Sequence, residues 1–387
     1  MNKKPETIKN NLIFDIDSST VGVGLFEFGY DIRGQCIHVR ELATIRESIT
    51  DGRLYPFEEF WQRAQSTLRK VAEKIHLQSL IPLGNIYCNV SSPWASAQKR
   101  TIKYSKNKPF ILTQKLADQL IEKELASSLK NNLDYHNHDV DLIDRKTIAA
   151  RSNGYSVRNP ISKEMSDLEI DSLVTVVSTK TKKVFEHVIE KVFHRTPLFT
   201  SNIFIAYNNV QKTLPHQNDA IVVDVSGEMT EVIIIKNDHL SLIGTLPVGI
   251  NHLLRDTSSY VGDSLAKTQK NIQLLFNSNL EKEYELKIKK ALNHSYKKWL
   301  KEFYGFCDEA SKQGSLPNTI VMKTYDKSMH WFESMLLQSD ELSEHLHARA
   351  RIEVIHLPPG YQDEKISLEI SDSELRVVAR TIALDIL

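Results

Sequence analysis

The sequence predicts an α/β protein of two related domains, with an α+β subdomain inserted into the first. Two stretches carry this prediction, NLIFDIDSSTVGVGLFEF (11–28) and AIVVDVSGEMTEVIIIKN (220–237). Each has a β-branched apolar run that ends in Asp15 or Asp224, then a few small residues, then a second apolar run, which is the pattern of a β-hairpin. A chain of 387 residues with 41% hydrophobic content is long enough for two or more domains. We therefore expect a duplicated architecture.

The composition indicates which classes of partner and which cellular compartment to expect. Lys+Arg and Asp+Glu are equal at 49 each, so no net charge draws the protein to nucleic acid or to an anionic membrane. The three cysteines lie far apart, which favours free thiols in the cytoplasm. No run approaches the roughly 18 apolar residues of a membrane span. The polar start MNKKPETIKN predicts a flexible tail and no signal peptide.

Apolar periodicity places the other elements. Tyr55–His76 has helical spacing, and GNIYCNV (84–90) returns to a strand. Thr113 is placed to cap a helix, LEIDSLVTVVS (168–178) predicts a strand, and TKKVFEHVIEKVFH (181–194) predicts a helix. After the second hairpin come a strand and a helix in HLSLIGTLPVGINHLL, a long helical stretch, and the late strands NTIVMKTY and RIEVIHLP. Ser371 and Glu374 have capping-box spacing for a terminal helix.

These elements divide the chain into predicted segments. They are a flexible tail (1–10), a first subdomain (11–90), the inserted α+β subdomain (91–195), a connecting segment of the first domain (196–217), a second subdomain (218–265), a shortened helical outer subdomain (266–315), the continuation of the second subdomain (316–370), and a terminal helix packing on the first domain (371–387).

The order of these motifs resembles the actin-like ATPase superfamily. The chain is most similar to the bacterial branch that contains the cell-division protein FtsA and the pilus-assembly protein PilM. The two hairpins, the insertion and the VGxNxxxxD pattern in LPVGINHLLRD carry the resemblance over nearly the whole chain. It implies an actin-like fold, a duplicated ribonuclease H-like architecture. GYSVRNPISKEM is similar to the NP(I/V)G stretch of the division branch, which favours division over pilus assembly.

The resemblance also implies a nucleotide site. In this family the two hairpin turns face each other across a cleft and wrap the phosphates with backbone N–H groups. ATP and Mg²⁺ are the implied cofactors, and Asp15 and Asp224 are the implied metal carboxylates, acting through water. The residues implied for nucleotide binding are Asp15, Asp17, Ser18, Ser19, Thr20, Asp224, Ser226, Gly227, Glu228, Thr230, Gly249, Asn251 and Lys270.

The nucleotide motifs depart from the family pattern at each of four places. Asp17 and Glu228 stand where the two hairpins usually have Gly, and Gly22 stands where a phosphate-contacting Lys is usual. The ribose motif AExxK reads AKTQK (266–270), and the adenine loop TGGG reads IVMKTYDK. If Asp17 and Glu228 both pointed inward, carboxylates near 4 Å would repel by roughly 4 kcal/mol at an effective dielectric of about 20. We therefore expect weak or lost ATP binding and hydrolysis, and assign no catalytic residue.

Three functions stay open. The leading one is a cytoplasmic FtsA-like scaffold that binds protein partners of the division or pilus machinery, with a PilM-like assembly protein as its alternative. The second is an active Mg-ATPase in which Asp17 or Glu228 binds the metal. The third is a sugar or carboxylate kinase, for which no motif supplies a catalytic base. The shortened outer subdomain disfavours filaments, while self-association stays open.

Other motifs have simpler interpretations. SDSELRVVARTIALDIL has only two basic residues, Arg376 and Arg380, so the terminal helix is expected to pack on the first domain instead of lying on a membrane. Membrane recruitment would then need a partner. DYHNHDVD (134–141) has residue types that bind metals but lacks helical spacing, and is expected to be a solvated loop. The aromatic residues of SYKKWLKEFYGF fit a packed helix face better than a nucleic-acid site.

Overall fold

Two sheets and one inserted sheet organise the protein. This computed structural model describes residues 5–79, 81–131, 139–157, 160–213, 219–276, 280–324, 332, 335–337, 341–346, 353–356, 367–369 and 372–386. The strands are β1 Thr7–Ile16, β2 Thr20–Tyr30, β3 Cys36–Ser48, β4 Leu83–Val90, β5 Ala95–Ile111, β6 Val140–Ser152, β7 Tyr155–Ser156, β8 Glu164–Ser178, β9 Leu198–Ser201, β10 Ala220–Val225, β11 Thr230–Lys236, β12 His239–Leu246, β13 Thr319–Thr324, β14 Glu353–His356 and β15 Ser367–Glu369.

The helices connect and cover these sheets. They are α1 Phe57–His76, α2 Gln114–Asn131, α3 Thr179–Phe193, α4 Asn202–Thr213, α5 Ile250–Val261, α6 Leu265–Phe276, α7 Lys282–Ser311, α8 Leu342–His345 and α9 Ser373–Thr381, which continues into a π-helical turn at Ile382–Ile386. None of the helices in these described ranges combines the length and the apolar character that crossing a bilayer requires.

The strand order confirms the duplicated architecture. The first sheet runs β15-β3-β2-β1-β4-β9 and the second runs β12-β11-β10-β13-β14. In each, three consecutive strands pair antiparallel and two later strands add in parallel beside the first. The first strand of each hairpin is therefore central, buried on both sides, and ends in Asp15 or Asp224 at the same position of the two sheets.

The insertion is richer in strands than the sequence predicted. Its sheet runs β5-β8-β6-β7, and only β8 was expected as a strand. Strand β5 was missed because its lysines, serines and threonines are largely exposed and hide the apolar alternation. The helix α2 begins as predicted, with Thr113 Oγ1 accepting from the N–H of Leu116 at 3.2 Å. The loop predicted at 134–141 lies mostly outside the described residues.

Helix α3 lies in the first domain, although its sequence was assigned to the insertion (91–195). Phe185, Val188 and Ile189 pack in one core with Trp61 and Leu68 of α1 and with the first sheet. The inserted sheet thus ends with β8 at Ser178. The first strand also begins earlier than expected, at Thr7, so that part of the predicted tail (1–10) belongs to the sheet.

The second domain is covered by the long helix α7. Trp299 and Phe303 are buried against β10, β11 and β13, as expected for a core helix. Between 265 and 311 the described residues are dominated by α6 and α7, a helical outer region.

The terminal helix α9 packs on the first domain. Leu375, Val378 and Ile382 are buried against Phe26 and Phe28 of β2. Its N-cap is Asp372, whose carboxylate accepts from the N–H groups of Glu374 and Leu375 at 3.0 Å each. The predicted cap Ser371 lies outside the described residues.

Candidate functional site between the two hairpins

The turns of the two hairpins touch each other directly. The hydroxyl oxygens of Ser18 and Ser226 are 2.8 Å apart, and the N–H of Glu228 donates to Ser18 Oγ at 2.9 Å. Because the Ser226 hydroxyl also donates to the carbonyl of Met229 at 3.0 Å, Ser18 is the donor in the serine pair. A Cβ on Gly227 would lie only 2.2 Å from Cβ of Ser19. The turns therefore meet with no room for a triphosphate between them.

The first turn binds its own anion. The carboxylate of Asp17 accepts from the N–H groups of Ser19 and Thr20, the latter at 2.7 Å, and from their hydroxyls at 2.9 and 2.8 Å. These are the backbone donors that a turn of this kind would otherwise direct at a bound phosphate. Asp17, which stands in place of the usual glycine, thus accepts the hydrogen bonds of its own turn.

Asp15 of β1 faces a cation from β3, the next strand but one. Arg46 lies opposite Gly22 in the β2–β3 register and donates to Asp15 Oδ2 at 3.1 Å. A Cβ on Gly22 would lie 2.6 Å from Cζ of Arg46, so the guanidinium fills the space where a side chain at position 22 would begin. Burial acts to raise the pKa of Asp15, but the charge of Arg46 and hydrogen bonds from Glu374 and Asn89 outweigh it and lower that pKa. The positive charge that seemed lost at Gly22 is supplied by Arg46.

Asp224 is paired with Lys323. The ammonium of Lys323 donates to Asp224 Oδ2 at 2.7 Å and to the side-chain oxygen of Asn202 at 2.8 Å. Burial acts to lower the pKa of Lys323, but the adjacent Asp224 carboxylate more than compensates and raises it. Asn202 also donates to Asp224 and to Glu231, at 2.7 Å each. The lysine that stands in the predicted adenine loop is thus an internal partner of the second hairpin.

The carboxylate of Glu228 points toward α5. Arg255 donates to its two oxygens at 3.0 and 2.8 Å, and Asn251 donates to it at 2.9 Å. Asp17 and Glu228 thus each have their own donors, which stabilise the two carboxylates separately.

Three further predicted residues hold the backbone around this contact. Thr230 is buried, donates to the carbonyl of Val248 at 2.7 Å and accepts from Trp299. Gly249 lies so close to the second turn that a Cβ would be 2.4 Å from the Ser226 carbonyl oxygen. The N–H groups of Ile250 and Asn251, which begin α5, donate to the carbonyls of Ser226 and Gly227 at 2.9 and 2.8 Å. The first residues of α5 thus donate hydrogen bonds to the backbone carbonyls of the second turn.

Lys270 is not gathered into this site. It lies exposed on α6, and within the described ranges no hydrogen bond or ion pair joins it to either hairpin. Among the described residues, no contact of Lys270 with the hairpins supports the interpretation of AKTQK as a ribose motif.

Several residues that the sequence did not point to join the two domains. Glu231 of β11 accepts from the N–H and hydroxyl of Ser92 at 3.0 and 2.7 Å. Arg255 of α5 also donates to the carbonyl of Gly52 at 2.9 Å. Burial and the nearby Asp224 carboxylate raise the pKa of Glu231. No sequence signal could have found these pairs, because their members are about 140 and 200 residues apart and meet only after folding.

Comparison with known proteins identifies the fold. No family model matches the sequence, and no curated protein matches it either. A chain of a solved "PilM-PilN type IV pilus biogenesis complex" superimposes with a TM-score of 0.60 at 10% identity, over 99% of this chain and 97% of that one. The chain has an actin-like fold. This confirms the predicted fold class, including the duplicated halves.

Two more distant structures also match. The ethanolamine utilization protein EutJ from Carboxydothermus hydrogenoformans aligns at TM-score 0.41 and 14% identity, over 91% of this chain and 85% of that one. A Bacteroides thetaiotaomicron protein described as having an actin-like ATPase fold aligns at 0.41 and 9% identity, over 92% and 93%. Because both scores are low, the assignment of the actin-like fold rests on the first match and on the strand order.

The residues of this actin-like fold do not fit Mg²⁺-ATP in the observed arrangement. The implied metal carboxylates Asp15 and Asp224 each face a cation, and within the described part of the chain no group of three or more His, Cys, Asp or Glu is placed to hold a metal. A cavity of about 250 Å³ lies beside the hairpin contact. Leu54, Phe57, Phe60, Met229 and Pro247 line it together with the polar residues Thr50, Arg53, Tyr55, Glu228 and His252. Most of the exposed surface of this lining is apolar, which suits a triphosphate poorly.

Proposed function

We propose that this protein is an actin-fold scaffold that binds partner proteins in the cytoplasm and does so without ATP. The observation that carries the proposal is the contact of Ser18 with Ser226, which closes the space between the two turns. The pairing of Asp17, Asp15, Asp224 and Glu228 within the protein supports it, because ATP would have to displace internal donors and cations as well as open the turns. We therefore assign no catalytic residue and no ATP or Mg²⁺ cofactor.

The biological setting has two candidates, both of which use the fold as a platform. The motif order and the NP-containing stretch favour an FtsA-like role in cell division. The match to a chain of a PilM–PilN complex favours a PilM-like role in pilus assembly. In both settings the partners are proteins, and recruitment to the inner face of the membrane would come through one of them.

Nucleotide titration tests the proposal. Purified protein is titrated with ATP by calorimetry with and without Mg²⁺, and phosphate release is measured in parallel. We expect no saturable binding at millimolar ATP and no turnover. Tight, magnesium-dependent binding with turnover would establish the alternative, an active ATPase in which the hairpins open.

Variants of the first turn then test whether the Asp17 carboxylate itself prevents ATP from binding. Asp17→Gly removes the internal anion of the first turn and exposes its N–H donors, so it should increase affinity for ATP or pyrophosphate if the turns can separate. Asp31→Gly is the control, because Asp31 accepts from backbone N–H groups of a remote turn in the same way. Equal affinities of the two variants would show that Asp17 does not block the site.

Reciprocal capture assigns the setting. The protein and candidate division or pilus proteins are each used as bait, with ATP present and with ATP removed by apyrase. The scaffold proposal expects capture of the same partner in both conditions. Capture only when ATP is present would contradict nucleotide independence.

A further inference from the structure

The acidic first turn of α9 reaches the first hairpin. Arg46 donates through Nε to Asp372 Oδ2 at 3.0 Å, and its Nη1 lies 2.6 Å from Glu374 Oε2. The same guanidinium contacts Asp15. One guanidinium thus contacts two acidic side chains of the terminal helix and one of the central strand, and burial with the nearby Asp15 carboxylate raises the pKa of Glu374. Glu374 is buried, so its contact with Arg46 is shielded from solvent and salt.

Arg46 continues the connection into the turn that meets the second domain. Its Nη1 donates to the hydroxyl of Thr20 at 3.0 Å, and the Thr20 hydroxyl donates to Asp17, which organises the turn. That turn places Ser18 against Ser226. Hydrogen bonds therefore run from the terminal helix to Asp17, and the backbone of the turn joins Asp17 to Ser18 and its contact with the second hairpin.

The other end of α9 contacts the helix that links the two domains. Arg380 donates to the side-chain oxygen of Asn209 on α4 at 2.5 Å. On its other side α4 packs against the second sheet, where Ala206 and Tyr207 share a core with Val222 and Ile233. The terminal helix therefore touches the hairpin at one end and the interdomain helix at the other.

We propose that α9 is a conformational clamp. Its docking onto Arg46 holds the first turn in contact with the second, and loss of that docking separates the two domains at the hairpins. An event that withdraws α9, such as its capture by a partner, would thereby be transmitted to the domain interface. The proposal concerns the chain's own contacts and is independent of whether ATP binds.

The test replaces the two acidic side chains of the clamp and keeps its shape. Asp372→Asn retains a good N-cap, and Glu374→Gln is nearly isosteric, so the double variant weakens the hold on Arg46 without unfolding the helix directly. Spin labels at Glu73→Cys on α1 and Asn293→Cys on α7, both exposed, report the domain separation by pulsed EPR. The native cysteines Cys36, Cys88 and Cys307 are buried, so labelling goes to the new sites. Hydrogen exchange of the α9 amides is measured in parallel.

We expect a single short distance in the labelled parent and an additional longer distance in the double variant. Exchange of the α9 amides should rise by about tenfold or more, as expected for the loss of charge-assisted hydrogen bonds. Glu59→Gln, which removes the exposed partner of Arg63, is the control and should change neither measurement. An unchanged distance in the double variant, with α9 either protected or released, overturns the proposal, since the helix would then only complete the core of the first domain.

Discussion

Ser18 and Ser226 lie 208 residues apart in the chain, yet their hydroxyls form a buried hydrogen bond of 2.8 Å. Each serine belongs to the turn of one hairpin, so equivalent turns of the two related domains meet at this contact. The two domains are therefore connected at this point by their own side chains and backbone.

Removing either hydroxyl should weaken the domain interface. A typical buried hydrogen bond contributes about 1 kcal/mol, so Ser18→Ala and Ser226→Ala should each lower the free energy of unfolding by about that amount. Urea denaturation of both single variants and the double variant measures their coupling. We expect a coupling energy of about 0.5 to 1.5 kcal/mol. Strict additivity would mean that the contact is not maintained in solution.

Lys323 should be more important to stability than its position in a loop motif suggests. Its replacement by Met leaves Asp224 buried beside Glu231 without a cation, and breaking such a pair costs about 3 to 5 kcal/mol. The double variant Lys323→Met/Asp224→Asn removes both charges and should regain much of that loss. Thermal unfolding of the parent protein, the single variant and the double variant measures these differences. A small effect of Lys323→Met alone would indicate that the pair is solvated.

Two glycines should respond oppositely to alanine. At Gly249 the added Cβ would meet the carbonyl oxygens of Ser226 and Gly227 at 2.4 and 2.5 Å, and both atoms belong to backbone. Gly249→Ala should therefore displace α5 or the second turn and destabilise the protein by about 1 to 3 kcal/mol. Gly305→Ala is the control, because nothing lies within 4 Å of its Cβ position on helix α7. There alanine should stabilise by up to about 1 kcal/mol. Equal effects at the two sites would refute the close approach.

The contribution of Asp144 to stability should fall as the pH rises toward 6. Burial raises the pKa of Asp144 to about 6, from its usual value of 3.8, although Ser201 and Thr200 donate to its carboxylate. The raised pKa means that the folded protein retains this proton where the unfolded chain has lost it. The stabilisation is complete below about pH 3.8 and is lost between that pH and about 6.

Denaturant titrations at several pH values measure this loss. Since one pKa unit corresponds to about 1.4 kcal/mol, the fall assigned to Asp144 should be roughly 2 to 3 kcal/mol. It should be missing in Asp144→Asn and retained in Asp141→Asn on the same strand. An NMR titration of the Asp144 carboxyl with a midpoint near 4 would contradict the expectation.

The sequence was sufficient for the fold because burial leaves a local pattern. The hairpin strands β1 and β10 are buried along most of their length and read as apolar runs, and α1 shows its buried stripe at helical spacing. Strand β5 could not be found in this way, because it lies at the edge of its sheet and exposes most of its side chains. Helix α3 was recognised but placed in the wrong unit, since periodicity reveals that a face is buried and not what buries it.

The candidate site was only half predictable. The sequence located the two turns and the unusual acids Asp17 and Glu228 in them. It could not reveal that Arg46 pairs with Asp15 and Arg255 with Glu228, because these arginines reach the hairpins through strand register and helix position. An acidic residue in place of a motif glycine therefore indicates that the motif has changed. Only the side-chain geometry shows whether that carboxylate would repel a bound phosphate or takes the place of the phosphate within the turn.

A loop that carries its own carboxylate has no need of a metabolite to become ordered. Under the proposed function, the arrangement around Asp17 would be the same in a starved cell and in a growing one. A platform of that kind would transmit no signal about energy supply, and its assembly would be timed by protein partners.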